Sequence, residues 1–181
     1  MTELLFSTTK DGMHACKLED VIYVAIPSRT TGYGVATIFQ SRKEPSEVSS
    51  QDGFSSGHVD DIPAFEQLIR DIADHRAERA KLGRHEVYAK EYTPWDTSDA
   101  KTVYAEGVIF YTTPSHGGFF LTKERQRQMP VALRNKSGWY EEDCEWAKVA
   151  IAFPALFTSY ERKTAEKTIQ KWFPEITLAQ Q

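Results

Sequence analysis

His116 is the residue of this chain best suited to moving a proton. It stands in a glycine-rich turn, Ser115-His116-Gly117-Gly118, where a side chain can be exposed on a rigid frame. Imidazole changes its charge near neutral pH. The sequence leaves two roles open: a general base in an enzyme, or a ring that hydrogen-bonds the backbone and holds the turn.

Cys144 is the second candidate, preceded by the acids Glu141, Glu142 and Asp143. A thiol in the first turn of a helix has a lowered pKa, whereas neighbouring carboxylates raise that pKa. Cys144 also lies on an apolar stripe, which favours burial. It is therefore either a small core residue or a nucleophile paired with His116.

The acids have two interpretations of their own. Three carboxylates at the start of a helix complement the positive end of its dipole, which would account for Glu141, Glu142 and Asp143. Alternatively, Glu141 and Glu145 lie one helical turn apart and can join His116 as ligands of a divalent metal. Because no HExxH, CxxC or paired-histidine spacing is present, capping is preferred and neither a metal site nor a cofactor is predicted. Any site built from these groups requires the His116 turn and the acidic block to be spatial neighbours.

A basic cluster lies between the His116 turn (Ser115 to Gly118) and the acidic block (Glu141 to Glu145). It consists of Lys123, Arg125, Arg127, Arg134 and Lys136, with Trp139 and Tyr140 beyond it. Arginines near aromatic rings hold phosphates and stack on bases, although the same pattern also makes an ordinary solvated helix face. The predicted binding residues are Arg125, Arg127, Trp139 and Tyr140. No GxGxxG or GxxxxGK[ST] loop occurs, which argues against a standard nucleotide-binding enzyme.

The length of 181 residues fits one domain, or one domain with an appendage. The composition, 40% hydrophobic and 12% aromatic, is that of a folded globular protein. Two cysteines are too few for a disulfide framework, and no secretory signal or long apolar run occurs, so a cytoplasmic protein without a membrane partner is expected. Residues 1–100 carry 17 acids and 11 Lys and Arg, a net charge of −6, whereas residues 101–181 carry 9 and 11, a net charge of +2. The acidic first half is either a solvated surface or a face for a basic partner.

Branched and aromatic residues predict short strands over residues 4–8, 21–26 and 34–40. The Asp11-Gly12 pair favours a turn, so the first two strands are expected to form a hairpin-like start. Residues 41–57 lose all periodicity and are rich in serine, which is typical of a mobile surface loop that connects elements or binds a ligand.

A central helix is predicted over about 62–82, capped by Asp60 or Asp61 and stopped by Gly83. Strands are then predicted over 86–92, 101–113 and 119–121, the middle one being either a strand pair or one strand bent at Gly107. Three helices follow, over about 122–134, 141–153 and 158–173, and Thr158 to Glu161 match the capping box that opens the last of them. Helices gathered late in the chain argue for an α+β fold with a mostly antiparallel sheet.

Several short motifs lie between residues 92 and 157: Thr93-Pro94-Trp95, Ala105-Glu106-Gly107-Val108, Ser115 to Phe119 (SHGGF), Glu124-Arg125, and Gly138 to Ala147 (GWYEEDCEWA). On these motifs the chain resembles a bacterial domain family of unknown function that is carried on plasmids, phages and integrated elements. The resemblance implies a mobile-element accessory protein and supplies no catalytic residues.

We therefore expect a single α+β domain over residues 1–181, with an acidic half over 1–90. The first hypothesis is a protein that binds a host or mobile-element protein, for example as an anti-CRISPR or antirestriction inhibitor of a host defence system. The second is a small hydrolase-like enzyme that uses His116 with Cys144 or with Glu141 and Glu142. The third is a nucleic-acid-binding module that acts through residues 123–136.

Overall fold

The computed structural model describes residues 4–39 and 42–176 of the chain. Over these residues it contains ten strands in two antiparallel sheets and four α-helices, which confirms the predicted α+β class. Two compact units are present, residues 1–74 and 75–181. That the chain forms one domain stays a prediction. No helix within the described ranges is both long and apolar enough to cross a membrane.

The first unit contains a five-stranded sheet in which each strand pairs with the next along the chain. Its strands are β1 (Phe6–Thr8), β2 (His14–Leu18), β3 (Val21–Pro27), β4 (Tyr33–Ile38) and β5 (Phe54–Val59). The expected pairing of residues 4–8 with 21–26 is wrong, because β2 lies between those strands. The turn at Gly12, where φ is +81°, leads into β2 instead.

Helix α1 (Ile62–Lys81) matches the predicted central helix and contributes Phe65 and Ile69 to the core on one face of this sheet. The Oδ1 atom of Asp61 accepts the Ala64 N–H at 2.7 Å, as the capping signal predicts. The opposite face of the sheet is covered by Val48, which is almost fully buried beside Ile22.

Residues 42–57 are not the aperiodic loop that the sequence suggested, and Ser41 lies outside the described residues. They form two short 3-10 turns, Pro45–Glu47 and Ser50–Asp52, and then enter β5. The carboxylate of Asp11 accepts the hydroxyl of Ser50 at 2.6 Å, the hydroxyl of Thr9 at 2.7 Å and the backbone N–H of Ser50 at 3.0 Å. These bonds hold the pKa of Asp11 far below its ordinary value. Long-range burial and hydrogen bonding, which a local pattern does not encode, fix this segment.

The second unit contains the other sheet, in which neighbouring strands also follow the chain. Its strands are β6 (His85–Tyr88), β7 (Ala100–Ala105), β8 (Val108–Thr112), β9 (Gly117–Leu121) and β10 (Trp139–Glu141). Gly107, with φ of +74°, makes the turn between β7 and β8, so the strand pair is the correct alternative.

The helices of this unit are α2 (Lys123–Gln128), α3 (Trp146–Ala152) and α4 (Ser159–Trp172). Phe119, Leu121 and Tyr140 on the sheet share one core with Val149 of α3 and Ile169 of α4. The predicted group of C-terminal helices is confirmed. The helix expected over 122–134 is shorter, because Pro130 has no N–H to continue it, and a 3-10 turn over Val131–Leu133 replaces its second half.

Candidate functional site

His116 lies in the tight connection between β8 and β9. Its backbone N–H donates to Oγ1 of Thr113 at 3.1 Å, and its carbonyl accepts the Thr113 N–H at 2.8 Å and hydroxyl at 2.7 Å. These bonds hold the turn through the backbone of His116 and leave its imidazole, which is 51% exposed, available for another contact.

Glu141 and Glu142 come next to this turn through strand pairing. Glu141 ends β10 opposite Gly118 of β9, and the N–H of Glu142 donates to the carbonyl of Gly117 at 3.0 Å. The helix expected to begin at the acids is wrong, since α3 begins only at Trp146. Backbone pairing of β10 with β9 outweighs the local helix signal, and Glu141 and Glu142 therefore have no capping role.

His116, Glu141 and Glu142 form one cluster, in which one ligand atom from each residue lies within 4.8 Å of the others. The Nδ1 atom of His116 and the Oε1 atom of Glu141 are 3.8 Å apart. The other oxygen of Glu141 accepts the N–H of Asp143 at 3.0 Å. The structure thus brings together three of the four predicted catalytic residues.

Gly117 makes room for the carboxylate of Glu142. A β-carbon at this position would lie 2.6 Å from Oε2 of Glu142 and 2.9 Å from the ring of Phe110. It would also lie 2.9 Å from the backbone carbonyl of Tyr111, so a residue with a side chain would have to displace all three groups. The arrangement of the cluster therefore requires glycine at position 117.

Cys144 is not part of this group of neighbouring ligand atoms as far as the described residues go. Burial raises the pKa of its thiol, and the carboxylates of Glu145 and Glu141 raise that pKa further. Because Cys144 lies outside the cluster that contains His116, and its raised pKa disfavours the thiolate, the structure gives the predicted Cys144–His116 pair no support. Glu145, the other suggested metal ligand, instead forms an ion pair with Lys148 at 3.3 Å.

Trp139 packs among aromatic rings on the sheet face opposite the helices. Its ring centroid lies 4.8 Å from that of Phe120, 5.4 Å from that of Tyr111 and 5.6 Å from that of Trp95. Trp139 remains half-buried. Tyr140 points to the other face and is fully buried, so its ring cannot contact a ligand.

A groove with a volume of about 480 Å³ lies beside α2. It is lined by Lys123, Gln126, Arg127, Val131, Arg134, Asn135 and Lys136. Four of these side chains are cationic and none is a carboxylate. Arg125 is not among the residues that line the groove; its guanidinium donates to the Glu106 carbonyl at 2.7 Å and to Oε1 of Gln128 at 3.0 Å.

The chain around the groove is fixed by its own contacts. Arg134 donates from Nε to the carbonyl of Met129 at 2.8 Å and from Nη2 to the carbonyl of Arg127 at 2.9 Å. Met129 and Leu133 are buried in the core of the second unit. The cationic side chains therefore project from a backbone that is already ordered.

Comparison with known families places this site within one domain. Residues 88–179 match a family model whose description is a domain of unknown function, DUF7007. The chain belongs to the DUF7007 family. No curated protein and no solved structure matches the chain.

The DUF7007 match contains the segment 92–157 whose motifs suggested a family of unknown function, and it includes both the acidic cluster and the groove. The family description names no activity, so it assigns no role to any residue of the cluster or the groove.

Sequence reasoning missed several residues of the DUF7007 site. Gln126, Val131 and Asn135 line the groove, but an amide or a single valine between charged residues carries no signal by itself. Trp95 reaches the aromatic face from a loop more than 40 positions before Trp139, and only the fold joins the two rings.

Proposed function

We propose that this chain is a nucleic-acid-binding module that holds a phosphate backbone in the groove beside α2. The observation that carries the proposal is the convergence of four cationic side chains and two amides on one concave surface without a carboxylate. A polyanion that contacts several such cations releases its condensed counterions, which drives binding without base recognition.

The local charge supports this proposal. Residues 122–137 contain five cationic side chains and one carboxylate, that of Glu124, which gives a net charge of +4. Glu124 forms an exposed ion pair with Arg127, with 3.7 Å between the charged atoms. An exposed pair of this kind contributes little stability, so Arg127 can exchange the carboxylate for a phosphate.

Val131 adds an apolar contact to the groove. Its side chain is 77% exposed although the neighbouring Leu133 is buried. An exposed apolar group between arginines and amides can pack against a sugar or an unstacked base, whereas Asn135 and Gln126 can hydrogen-bond to base edges or phosphates.

The experiment is a fluorescence anisotropy titration of labelled single-stranded DNA, duplex DNA and RNA at about 50 mM and about 200 mM salt. Contacts with about four phosphates predict that log K falls with log salt with a slope of about −3. The Arg127→Glu/Lys136→Glu variant should lose at least about tenfold in affinity. A matched control, Lys163→Glu/Lys167→Glu, makes the same charge change on exposed positions of α4 and should bind far better than the groove variant.

Absence of binding to all three nucleic acids at low salt would overturn the proposal. Equal losses in the two charge-reversal variants would also overturn it, because they would show that net charge alone attracts the nucleic acid.

A second candidate function is binding of a partner protein at the edge strand β5. Five of the six residues of β5 are exposed, and the side chain of Phe54 is 74% exposed. The surrounding unit, residues 1–74, carries 12 acids and 6 Lys and Arg. An open edge with an apolar anchor suits an added strand from a partner, and the acidic surroundings favour a basic one.

The mobile-element role, including inhibition of a host defence system, would act through such a partner. The test is affinity capture from host extract with the wild-type protein and the Phe54→Asp variant. A protein that is retained by the wild type and lost with the variant supports this function, whereas identical captured proteins would contradict it.

A further inference from the structure

We infer that His116, Glu141 and Glu142 form a binding site for one divalent transition-metal ion of the Mn²⁺ and Zn²⁺ class. This site is separate from the groove and goes beyond the proposed nucleic-acid binding. Its ligand atoms, one imidazole nitrogen and two or more carboxylate oxygens, all come from the second unit. Mixed nitrogen and oxygen ligands suit these ions better than Mg²⁺ or Ca²⁺, which prefer oxygen alone.

The distances fit a metal centre that needs only a small closure. Ligand atoms that lie about 2.1 Å from a metal can be at most about 4.2 Å apart. The Nδ1 atom of His116 and the Oε1 atom of Glu141 already lie within this limit, at 3.8 Å. The remaining separations, up to 4.8 Å, require a shift of about half an ångström, which the half-exposed His116 ring can make by rotating about its side-chain bonds.

The ligands are held in place by their own backbones and neighbours. Two hydrogen bonds from Thr113 and one to it fix the His116 turn. The N–H of Asp143 holds one oxygen of Glu141, so the other oxygen faces His116. The N–H of Glu142 bonds to Gly117, the residue whose missing side chain makes room for the Glu142 carboxylate. Such supporting contacts are what orients the ligands of metal sites.

Among the described residues, no Lys or Arg forms an ion pair with either carboxylate, and the hydrogen bond from the Asp143 N–H occupies only the oxygen of Glu141 that is not paired with His116. Glu141 forms an ion pair there only with His116, and the side chain of Glu142 forms neither an ion pair nor a hydrogen bond. Neither acid caps α3. The residue at the N-terminal cap of α3 is Glu145, and its side chain makes no capping hydrogen bond. Two neighbouring carboxylates repel each other, and a bound divalent cation would remove that repulsion.

The test is isothermal titration of the full chain with MnCl₂ and, separately, with ZnCl₂, in the absence of nucleic acid. We expect one ion per chain, and a loss of affinity of at least about tenfold in His116→Ala and in Glu142→Gln. Gly117→Ala keeps every ligand, but its β-carbon would collide with Glu142, with the Phe110 ring and with the Tyr111 carbonyl, so it should weaken metal binding and also lower the melting temperature. The control is His85→Ala, since His85 is an exposed histidine on β6 outside the cluster, and this variant should bind as the wild type does.

Thermal unfolding without metal establishes that each variant is folded before it is titrated. The inference would be overturned if the isotherms of His116→Ala and Glu142→Gln equalled the wild-type isotherm. It would also be overturned if the wild type bound no metal at about 1 mM, a concentration far above the dissociation constants of structural metal sites. Since no nucleic acid is present, failure here leaves the groove proposal to its own test.

Discussion

The ring of Trp95 lies directly over Gly118, so close that a β-carbon on Gly118 would overlap the ring. On the same side, the carbonyl oxygen of Tyr140 would be 2.5 Å from that β-carbon. Gly118, the second glycine of the SHGGF motif, therefore provides the space in which Trp95 of the Thr93-Pro94-Trp95 motif packs. Two motifs that lie far apart in the chain depend on each other at this point.

Gly118→Ala is consequently expected to destabilise the protein by about 1–3 kcal/mol, because the added methyl group must displace Trp95 or the backbone of β10. Chemical denaturation measures the free energy of unfolding, and tryptophan fluorescence reports the displacement of the ring. The matched control is Gly57→Ala, since a β-carbon at Gly57 would meet nothing within 4 Å and should change stability by less than about 0.5 kcal/mol. Equal effects of the two substitutions would contradict the close packing.

Arg84 and Glu161 form a bidentate ion pair, with nitrogen–oxygen distances of 2.8 and 2.6 Å and side chains that are 4% and 19% exposed. Arg84→Met would leave the Glu161 carboxylate without its cation and should cost about 3–5 kcal/mol of unfolding free energy. Lys90→Ala, which removes an exposed ion pair with Asp99, should leave the melting temperature unchanged. Equal losses of unfolding free energy in Arg84→Met and Lys90→Ala would contradict the difference in burial between the two ion pairs.

The same pair predicts a pH dependence. Burial raises the pKa of Glu161, but hydrogen bonds from Arg84 and from the Thr158 N–H outweigh burial and hold the pKa below the ordinary value of 4.5. Because the folded pKa is the lower one, the stabilisation is complete above about pH 4.5 and is lost as the pH falls through the folded pKa. Denaturation curves between about pH 3 and pH 6 should therefore show a steeper loss for the wild type than for Glu161→Gln. Parallel pH profiles would contradict the shifted pKa.

Cys144 should alkylate slowly. Burial and the nearby carboxylates raise the pKa of its thiol, so the reactive thiolate is scarce at neutral pH. In a Cys16→Ala variant, which isolates Cys144, the rate with iodoacetamide at about pH 7.5 should be lower in the folded protein than in denaturant, where the thiol has its ordinary pKa near 8.5. A faster rate in the folded protein would restore the hypothesis of a nucleophile.

Val48 should hold the 42–53 segment against the first sheet. Val48→Ala removes the buried contacts of two methyl groups and should lower the free energy of unfolding by about 1–2 kcal/mol. Limited proteolysis within the segment should also become faster. Val131→Ala is the matched control, because Val131 is exposed, and it should change neither measurement. An unchanged cleavage pattern in Val48→Ala would show that other contacts fix the segment.

The elements that were predicted well are those whose signals are local. The capping residue of α1, Asp61, and the capping box of α4, formed by Thr158 and Glu161, make the bonds that their positions indicate. The turns at Gly12 and Gly107 also lie where the sequence predicts them. A positive φ favours glycine at that one position whatever the rest of the chain does, so the signal is local.

The elements that were missed depend on distant partners. The three residues of β10 become a strand because their backbone pairs with β9, although the acids that follow Trp139 and Tyr140 suggest a helix. Strand β2 has only a mixed pattern, with buried residues on both faces, so no clean alternation reveals it. On the sequence alone, a site requires the His116 turn and the acidic block to be neighbours, and the structure places His116 beside Glu141 and Glu142. That Glu142 joins the cluster, whereas Glu145 pairs with Lys148, is seen only in the geometry.

The order of strands in the two sheets has a consequence for how quickly the chain can fold. Within each sheet, every strand after the first pairs with the strand made just before it. Loop closure therefore never has to span a whole sheet, and even the two longer connections, residues 39–53 and 122–138, add little entropic cost because that cost grows slowly with loop length. All strands of the first sheet lie before residue 60, so its backbone hydrogen bonds need no later part of the chain. The first sheet can therefore form, one strand pair after another, while the ribosome is still synthesising the second sheet.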